Sequence, residues 1–255
     1  MYKMKSVKLN KNFLELVKIM SILRSKNGCP WDRKQTHKSI LPYLIEEAYE
    51  LIEAINKNNI NEIKEELGDL LLQVIFHSQI AKEKGKFDID DVIKELNRKL
   101  IVRHPHVFAG KKGLTKDWHV REFWEKEKKK EKKRISILDG VPQLMPALLR
   151  TRRLISKAKS VGFAWKSEEG IIKKIKEELK EVEDAIKQRK KVKIEEEIGD
   201  LFFVIVALCY FYGINPEEAL QNTNKKFIKR FKKIEKFLYK GIKEKEMLDL
   251  WGKTK

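Results

Sequence analysis

Cysteine is nearly absent: the 255 residues hold two, Cys29 and Cys209, far apart and without metal-type spacing. That excludes a disulfide framework and a cysteine zinc site, and it suits a reducing compartment. Proline is sparse, with six residues, and nowhere do apolar and polar residues alternate at period two over a useful length, so no sheet is expected. The most apolar run, Leu201 to Tyr212, has twelve residues, short of the ~20 that span a bilayer. The opening MYKMKSVKLN lacks an apolar core of signal-peptide length, so a cytoplasmic protein with no membrane partner is expected. No GxxxxGK[ST] occurs, which removes a P-loop mechanism. All five histidines fall in the first half and none lies in an acidic cluster, which disfavours the Glu-x-x-His pairs of a di-iron bundle.

Charge is what the chain has in excess. Charged residues make up 37% and the formal net charge is +19. Such a balance suits a polyanion, whether nucleic acid or a nucleotide, and equally a general lysine bias. Lys126–Arg134 holds seven basic and two acidic residues, but no aromatic interleaves them. It therefore reads as a solvated helix end, and nucleic acid is not the expected partner.

Helical periodicity runs through the chain. Phe13, Leu16, Val17, Met20 and Leu23 are spaced as one helix face over 11–25, followed by a Gly- and Pro-containing loop. Ser39, Asp88 and Ser167 are expected N-caps. Asn215-Pro216-Glu217-Glu218 is a cap, a proline and two acids, a strong start for a helix to about Lys240. The apolar continuity of Leu70–Phe76 predicts burial on nearly all sides. The chain reads as all-α, with an N-terminal domain over 1–135, a linker over 136–146 and a C-terminal domain over 147–255.

Those two domains are copies. An offset of 131 carries Glu46, Glu47 and Glu50 onto Glu177, Glu178 and Glu181, and Glu65, Glu66 and Asp69 onto Glu196, Glu197 and Asp200. Farther along, an offset of 127 carries Asp88 onto Asn215, Lys99 onto Lys226 and Arg103 onto Arg230. The four-residue change places about one extra helical turn in the first copy near Ala81–Gly85. One EExxE in a charged protein is ordinary solvated surface; two clusters repeated at unchanged separation are not.

On a helix, residues three or four apart share a face. Two such helices packed antiparallel would gather four or more carboxylates, which repel by about 4 kcal/mol per pair at ~4 Å and an effective dielectric near 20. A cation resolves that repulsion. All-oxygen ligands suit Mg²⁺, which joins one or two carboxylates to substrate phosphates, and Mn²⁺ fits the same set. Lys226 and Arg230, four apart, read either as surface charge or as a clamp for phosphate oxygens. Metal, cations and spare carboxylates together suit hydrolysis of a phosphoanhydride. A non-catalytic nucleotide- or nucleic-acid-binding scaffold that keeps a metal site is the alternative.

Several ordered motifs resemble the long, two-domain form of the MazG family of nucleoside triphosphate pyrophosphohydrolases. They are CPWDRKQTH (29–37), YLIEEAYELIEAI (43–55), EELGDLLLQVIFHSQIA (65–81), RHPHVF (103–108), LDGVPQLMPAL (138–148), VGFAW, EEEIGD and NKKFIKRF (224–231). The resemblance implies tandem helical bundles completed by dimerisation. It also implies Mg²⁺-dependent cleavage of NTPs to NMP and pyrophosphate, removing non-standard nucleotides or adjusting pools. It further implies Glu178, Glu181, Glu197 and Asp200 as metal ligands. Glu177, Glu196 and Lys193 would join the catalytic site, Glu196 as a candidate to orient or deprotonate water. Lys193, Lys226 and Arg230 would contact the triphosphate, with Trp251 beside the nucleotide. Glu47, Glu50, Glu66 and Asp69 would form a second site in copy one. This chain departs from the pattern at Ala164, where the family's GFDW has an acid, and at Ala207 and Tyr210, where it has Asn and Arg. Glu62 stands in copy one where copy two has Lys193.

Overall fold

The computed structural model describes residues 8–254 except 111, 112, 114, 115, 134 and 239–243, and among them every regular element is helical. In chain order these are α1 (Lys8–Leu23), α2 (Pro30–Lys34), α3 (Leu41–Asn56), α4 (Ile60–Glu83), α5 (Ile89–Arg103), α6 (Pro105–Phe108), α7 (Asp117–Glu131), α8 (Ala147–Lys159), α9 (Glu168–Lys187), α10 (Lys191–Phe211), α11 (Pro216–Leu238) and α12 (Glu244–Gly252). None is long and apolar enough to cross a membrane. Both cysteines are free.

Packing divides the chain into two compact units, Met1–Ala109 and Gly110–Lys255. In the first, α3 and α4 form a hairpin against which α1 and α5 pack. Its core is Met20, Ile40, Ile75, Phe76 and Ile80, flanked by Phe13, Leu16, Val17, Leu72 and Ile89. The apolar face of the first helix is therefore the one its spacing predicts. In the second unit α9 and α10 make the equivalent hairpin, with α8 and α11 packed on α10 and α12 on α11. Ile155, Val206 and Ala207 form its buried cluster, with Leu148, Trp165 and Tyr210 against it.

The duplication extends to backbone conformation. Each hairpin turns through three residues, Lys57–Asn59 and Gln188–Lys190, and the middle residue of each, Asn58 and Arg189, takes φ near +54°. Asparagine visits this left-handed region readily, whereas arginine does so at a cost. The extra turn expected in copy one is a longer α4, 24 residues against 21 for α10.

Capping follows sequence in part. Asp88 makes a full capping box with Asp91, and Ser167 accepts from the Gly170 amide at 3.3 Å. Ser39 does not cap: its hydroxyl turns back to Gln35 and Thr36, and Ile40 holds the cap position of α3. The loop after α1 contains α2, started by Pro30 and Asp32. Lys240, the expected end of the last long helix, lies outside the described residues.

α7 belongs by packing to the second unit, although its sequence precedes the linker. Lys157, only 2% exposed, donates to Glu125 at 2.9 Å and to the Ile137 carbonyl at 2.8 Å, and Arg153 bonds the other Glu125 oxygen. Burial raises the Glu125 carboxyl, but the two cations outweigh it and hold the group below the ordinary carboxylate range.

Leu70–Phe76 is not buried all round. Ile75 and Phe76 are, but Leu71 and Val74 are exposed, with Leu67 one turn earlier. The same register in α10 holds exposed Ile198, Phe202 and Ile205. Each hairpin thus shows solvent an apolar stripe at i, i+4, i+7.

Candidate metal centres

The α9–α10 hairpin brings Glu178 from its first helix beside Glu197 and Asp200 from its second, with one carboxylate oxygen of each within 4.8 Å of the others. In the first unit Glu47, Glu66 and Asp69 do the same from α3 and α4. Subtracting 131 from the first set gives the second, so the repeat in sequence is a repeat in space. The reason is local: i,i+3 spacing on the second helix sets two acids on one face, and the short turn returns that face to the first helix.

Glu181 and Glu50 border the clusters. The Glu181 carboxyl is raised by desolvation, then by a hydrogen bond with Glu178 and the charges of Glu178 and Glu197. In copy one, desolvation raises Glu47, followed by the charges of Asp69 and Glu50, and raises Glu66, followed by Glu50 and Asp69. These carboxyls resist ionisation together, the expected behaviour of an acidic cluster without a cation.

A buried oxygen tests the fit of a metal directly. Glu178 is 4% exposed, and its Oε2 has no hydrogen-bond partner in the protein. An unpaired buried carboxylate oxygen is costly, and a hard cation shared with Glu197 and Asp200 would satisfy it. The other oxygen, Oε1, accepts from Lys174 at 2.8 Å, while the same ammonium holds Glu177 Oε1 at 2.6 Å. Glu177 is thereby held low and faces Lys174. Lys174, three and four residues before two acids, stands where spacing expects an ordinary helix-face bridge. Tyr43 stands at the matching position in copy one.

The remaining expected residues lie elsewhere. Glu196 and Lys193 are exposed on α10 outside the triad, and Lys193 lends positive charge to Asp184. Glu62, its counterpart, lies 3.7 Å from Lys57. Lys226, Arg230 and Trp251 do come together, in a groove of about 710 Å³ with Phe227, Lys229 and Lys233. Arg230 stacks 4.1 Å from the Trp251 ring and donates to the Trp251 carbonyl at 3.0 Å and to Thr254 Oγ1 at 3.1 Å. This groove shares no residue with the carboxylate triad. The helix that makes it, α12, was not foreseen. In copy one, Lys99 pairs with Glu95 and Arg103 is buried, so that pair is not an open clamp.

Comparison with known proteins finds the same two copies. The family model described as the MazG nucleotide pyrophosphohydrolase domain matches twice, at residues 35–108 and 166–234. The chain is 53% identical over 229 residues to the Thermotoga maritima nucleoside triphosphate pyrophosphohydrolase/pyrophosphatase MazG, covering 89% of this chain and 87% of that protein. It is 38% identical over 252 residues to the Escherichia coli K12 nucleoside triphosphate pyrophosphohydrolase, covering 94% and 95%. A Mycobacterium tuberculosis protein of the latter name is 41% identical over 152 residues, covering 59% of this chain and 46% of its own.

Proposed function

The chain belongs to the MazG nucleotide pyrophosphohydrolase family, and from that premise we propose that it hydrolyses nucleoside triphosphates to nucleoside monophosphate and pyrophosphate. The observation that carries this reading is the carboxylate triad with the orphaned Glu178 oxygen. We assign the activity to copy two.

Glu178, Glu197 and Asp200, with Glu181 at their edge, would hold Mg²⁺, or Mn²⁺ in its place. Bound there, the ion supplies charge neutralisation at phosphate oxygens and lowers the pKa of a coordinated water. The protein's own residues do the rest. Glu196, exposed one residue before Glu197, accepts the proton of the attacking water. That water forms a new oxygen–phosphorus bond on one side of the α–β bridge, and the bridging oxygen leaves with the electron pair. Lys193 and Glu177 flank the site, one attracting the triphosphate and the other completing the acidic rim. Lys226 and Arg230 meet phosphate oxygens, and Trp251 offers a flat face to the nucleotide. The Thr254 and Trp251 contacts hold Arg230 in place for this role.

Removal of non-standard NTPs, or adjustment of nucleotide pools, is the proposed purpose, in the cytoplasm. We keep 1–135 and 147–255 as the proposed limits of the two repeat domains. The matching apolar stripes of α4 and α10 support a homodimer, because a second copy of the chain would cover surface that one copy leaves exposed.

A scaffold without catalysis is the competing reading, favoured by Lys174, which already neutralises Glu177 and Glu178. The two separate on product. Incubating the protein with each common NTP and Mg²⁺, and resolving pyrophosphate from orthophosphate, should give pyrophosphate and NMP. Orthophosphate, or no product with any NTP and metal, would defeat the proposal.

A further inference from the structure

Cations dominate the groove between α11 and α12, and no carboxylate lines it. Lys226, Lys229, Arg230 and Lys233 recur at intervals of three and four residues, so they share one face of α11. The three lysines are exposed, and like charges at this spacing repel. The basic run on α7 is different in kind: there Lys126 and Lys130 are held by Glu122 and Glu127 at 2.6 and 2.8 Å. Along the groove the positive charge is left for an anion from outside.

Aromatic rings are set among these cations. Phe227 is 53% exposed, with its ring centroid 5.3 Å from that of Trp251 and 5.8 Å from that of Phe231. The Phe227 and Trp251 planes meet at 53°, so the two rings make an open corner beside Lys226 and Arg230. The lining of the groove runs from Thr223 to Lys233, about 15 Å of helix axis. Nucleotides stacked ~3.4 Å apart would place about four along that length. A single nucleotide, as proposed above, uses Lys226, Arg230 and Trp251, and leaves Phe227, Lys229 and Lys233 without a part.

We infer that this groove also binds a single-stranded nucleic acid, with the four cations along its phosphates and its bases stacked on Phe227 and Trp251. The backbone answers the cations, and unstacked bases answer the exposed rings, which a duplex cannot do while its bases stay paired and stacked. The net charge of +19 favours encounter with a polyanion. An anionic lipid surface would meet the lysines but has no flat ring to set against Phe227 and Trp251. Contacts to backbone and π-faces carry little sequence preference. Neither the carboxylate triads nor hydrolysis enters this binding.

Fluorescence anisotropy of the full chain without Mg²⁺, using end-labelled RNA and DNA single strands of about 12 nucleotides, tests it. Binding of either strand supports the inference, and the tighter one identifies the sugar. The logarithm of the binding constant should fall with that of salt concentration at a slope near −3, from four phosphate contacts at about −0.7 each. Lys229→Ala combined with Lys233→Ala should flatten that slope by about 1.4, and should leave pyrophosphate release from a free NTP unchanged. Phe227→Ala should weaken binding about tenfold or more. The lysine pair lies on exposed positions, so it decides the matter if Phe227→Ala lowers the helical circular dichroism. No binding of either strand at about 50 mM salt would overturn the inference. So would a duplex of equal length bound as tightly, or a slope that the lysine substitutions leave unchanged. Phosphatidylserine vesicles bound where both strands fail would overturn it in favour of a membrane surface. An active enzyme that binds neither strand defeats this inference alone, and a chain that binds a strand but releases no pyrophosphate defeats only the hydrolytic reading.

Discussion

Glu178 shows how far single residues could be read. That it belongs to one of two acidic clusters gathered by antiparallel helices follows from spacing, whereas its choice as a ligand with Glu197 and Asp200 comes from the family resemblance. What spacing could not show is that one of its oxygens is orphaned and the other held by Lys174. Spacing marks Lys174 as a neighbour of Glu177 and Glu178, but not that one ammonium holds both. Lys174→Met removes the cation that holds Glu178 Oε1. The melting temperature without metal should fall, and the rise on adding Mg²⁺ should be larger than in wild type. Glu181→Gln should act oppositely, because this carboxyl is raised by desolvation and its acidic neighbours. The metal-free protein should melt higher, and the Mg²⁺-induced rise should shrink. Differential scanning calorimetry with and without Mg²⁺ reads both.

Elements were legible where one helix decides its own fate, and less so where a second element does. The caps at Asp88 and Ser167 are local and were readable, whereas Ser39 failed as a cap because Gln35 and Thr36 offered its hydroxyl nearer partners. The grouping of α7 with α8 rests on a buried Lys157–Glu125 pair 32 residues apart, hidden within an ordinary run of charge. Lys157→Met should destabilise the second unit by about 3–5 kcal/mol, since it strips a partner from a buried carboxylate. The pH dependence has a definite sign. Glu125 is depressed in the folded state, so its contribution is fully present above the unfolded carboxylate pKa of about 4.3 and is lost as pH falls through the lower folded value. Urea melts from pH 7 downward should show a smaller acid loss of stability below about pH 4.3 in Lys157→Met than in wild type, because Glu125 is less depressed without that ammonium. Arg189, at φ +54° in the hairpin turn, should tolerate glycine with a gain of up to about 1 kcal/mol, because the left-handed region costs a side chain about 1–2 kcal/mol and glycine nothing.

For the whole molecule, the duplication was plain in the sequence and the covering of its surfaces was not. Leu70–Phe76 was expected to be buried all round, yet Leu67, Leu71 and Val74 face solvent, as do Ile198, Phe202 and Ile205. Apolarity on every side says that a helix is covered without saying by which chain. If a second copy covers α10, Phe202→Glu should shift sedimentation from dimer toward monomer while the isolated chain keeps its helical circular dichroism. An unchanged dimer would move the interface elsewhere. The two triads are alike in geometry and are assigned different work. Pyrophosphate release with Mg²⁺ should therefore be measured for Glu197→Ala and Glu66→Ala side by side. Loss of even a supporting contact at a metal site costs 10–100-fold, so Glu197→Ala should lower the rate at least about 100-fold while Glu66→Ala retains most of it. Full activity in Glu197→Ala, with loss in Glu66→Ala, would contradict the assignment.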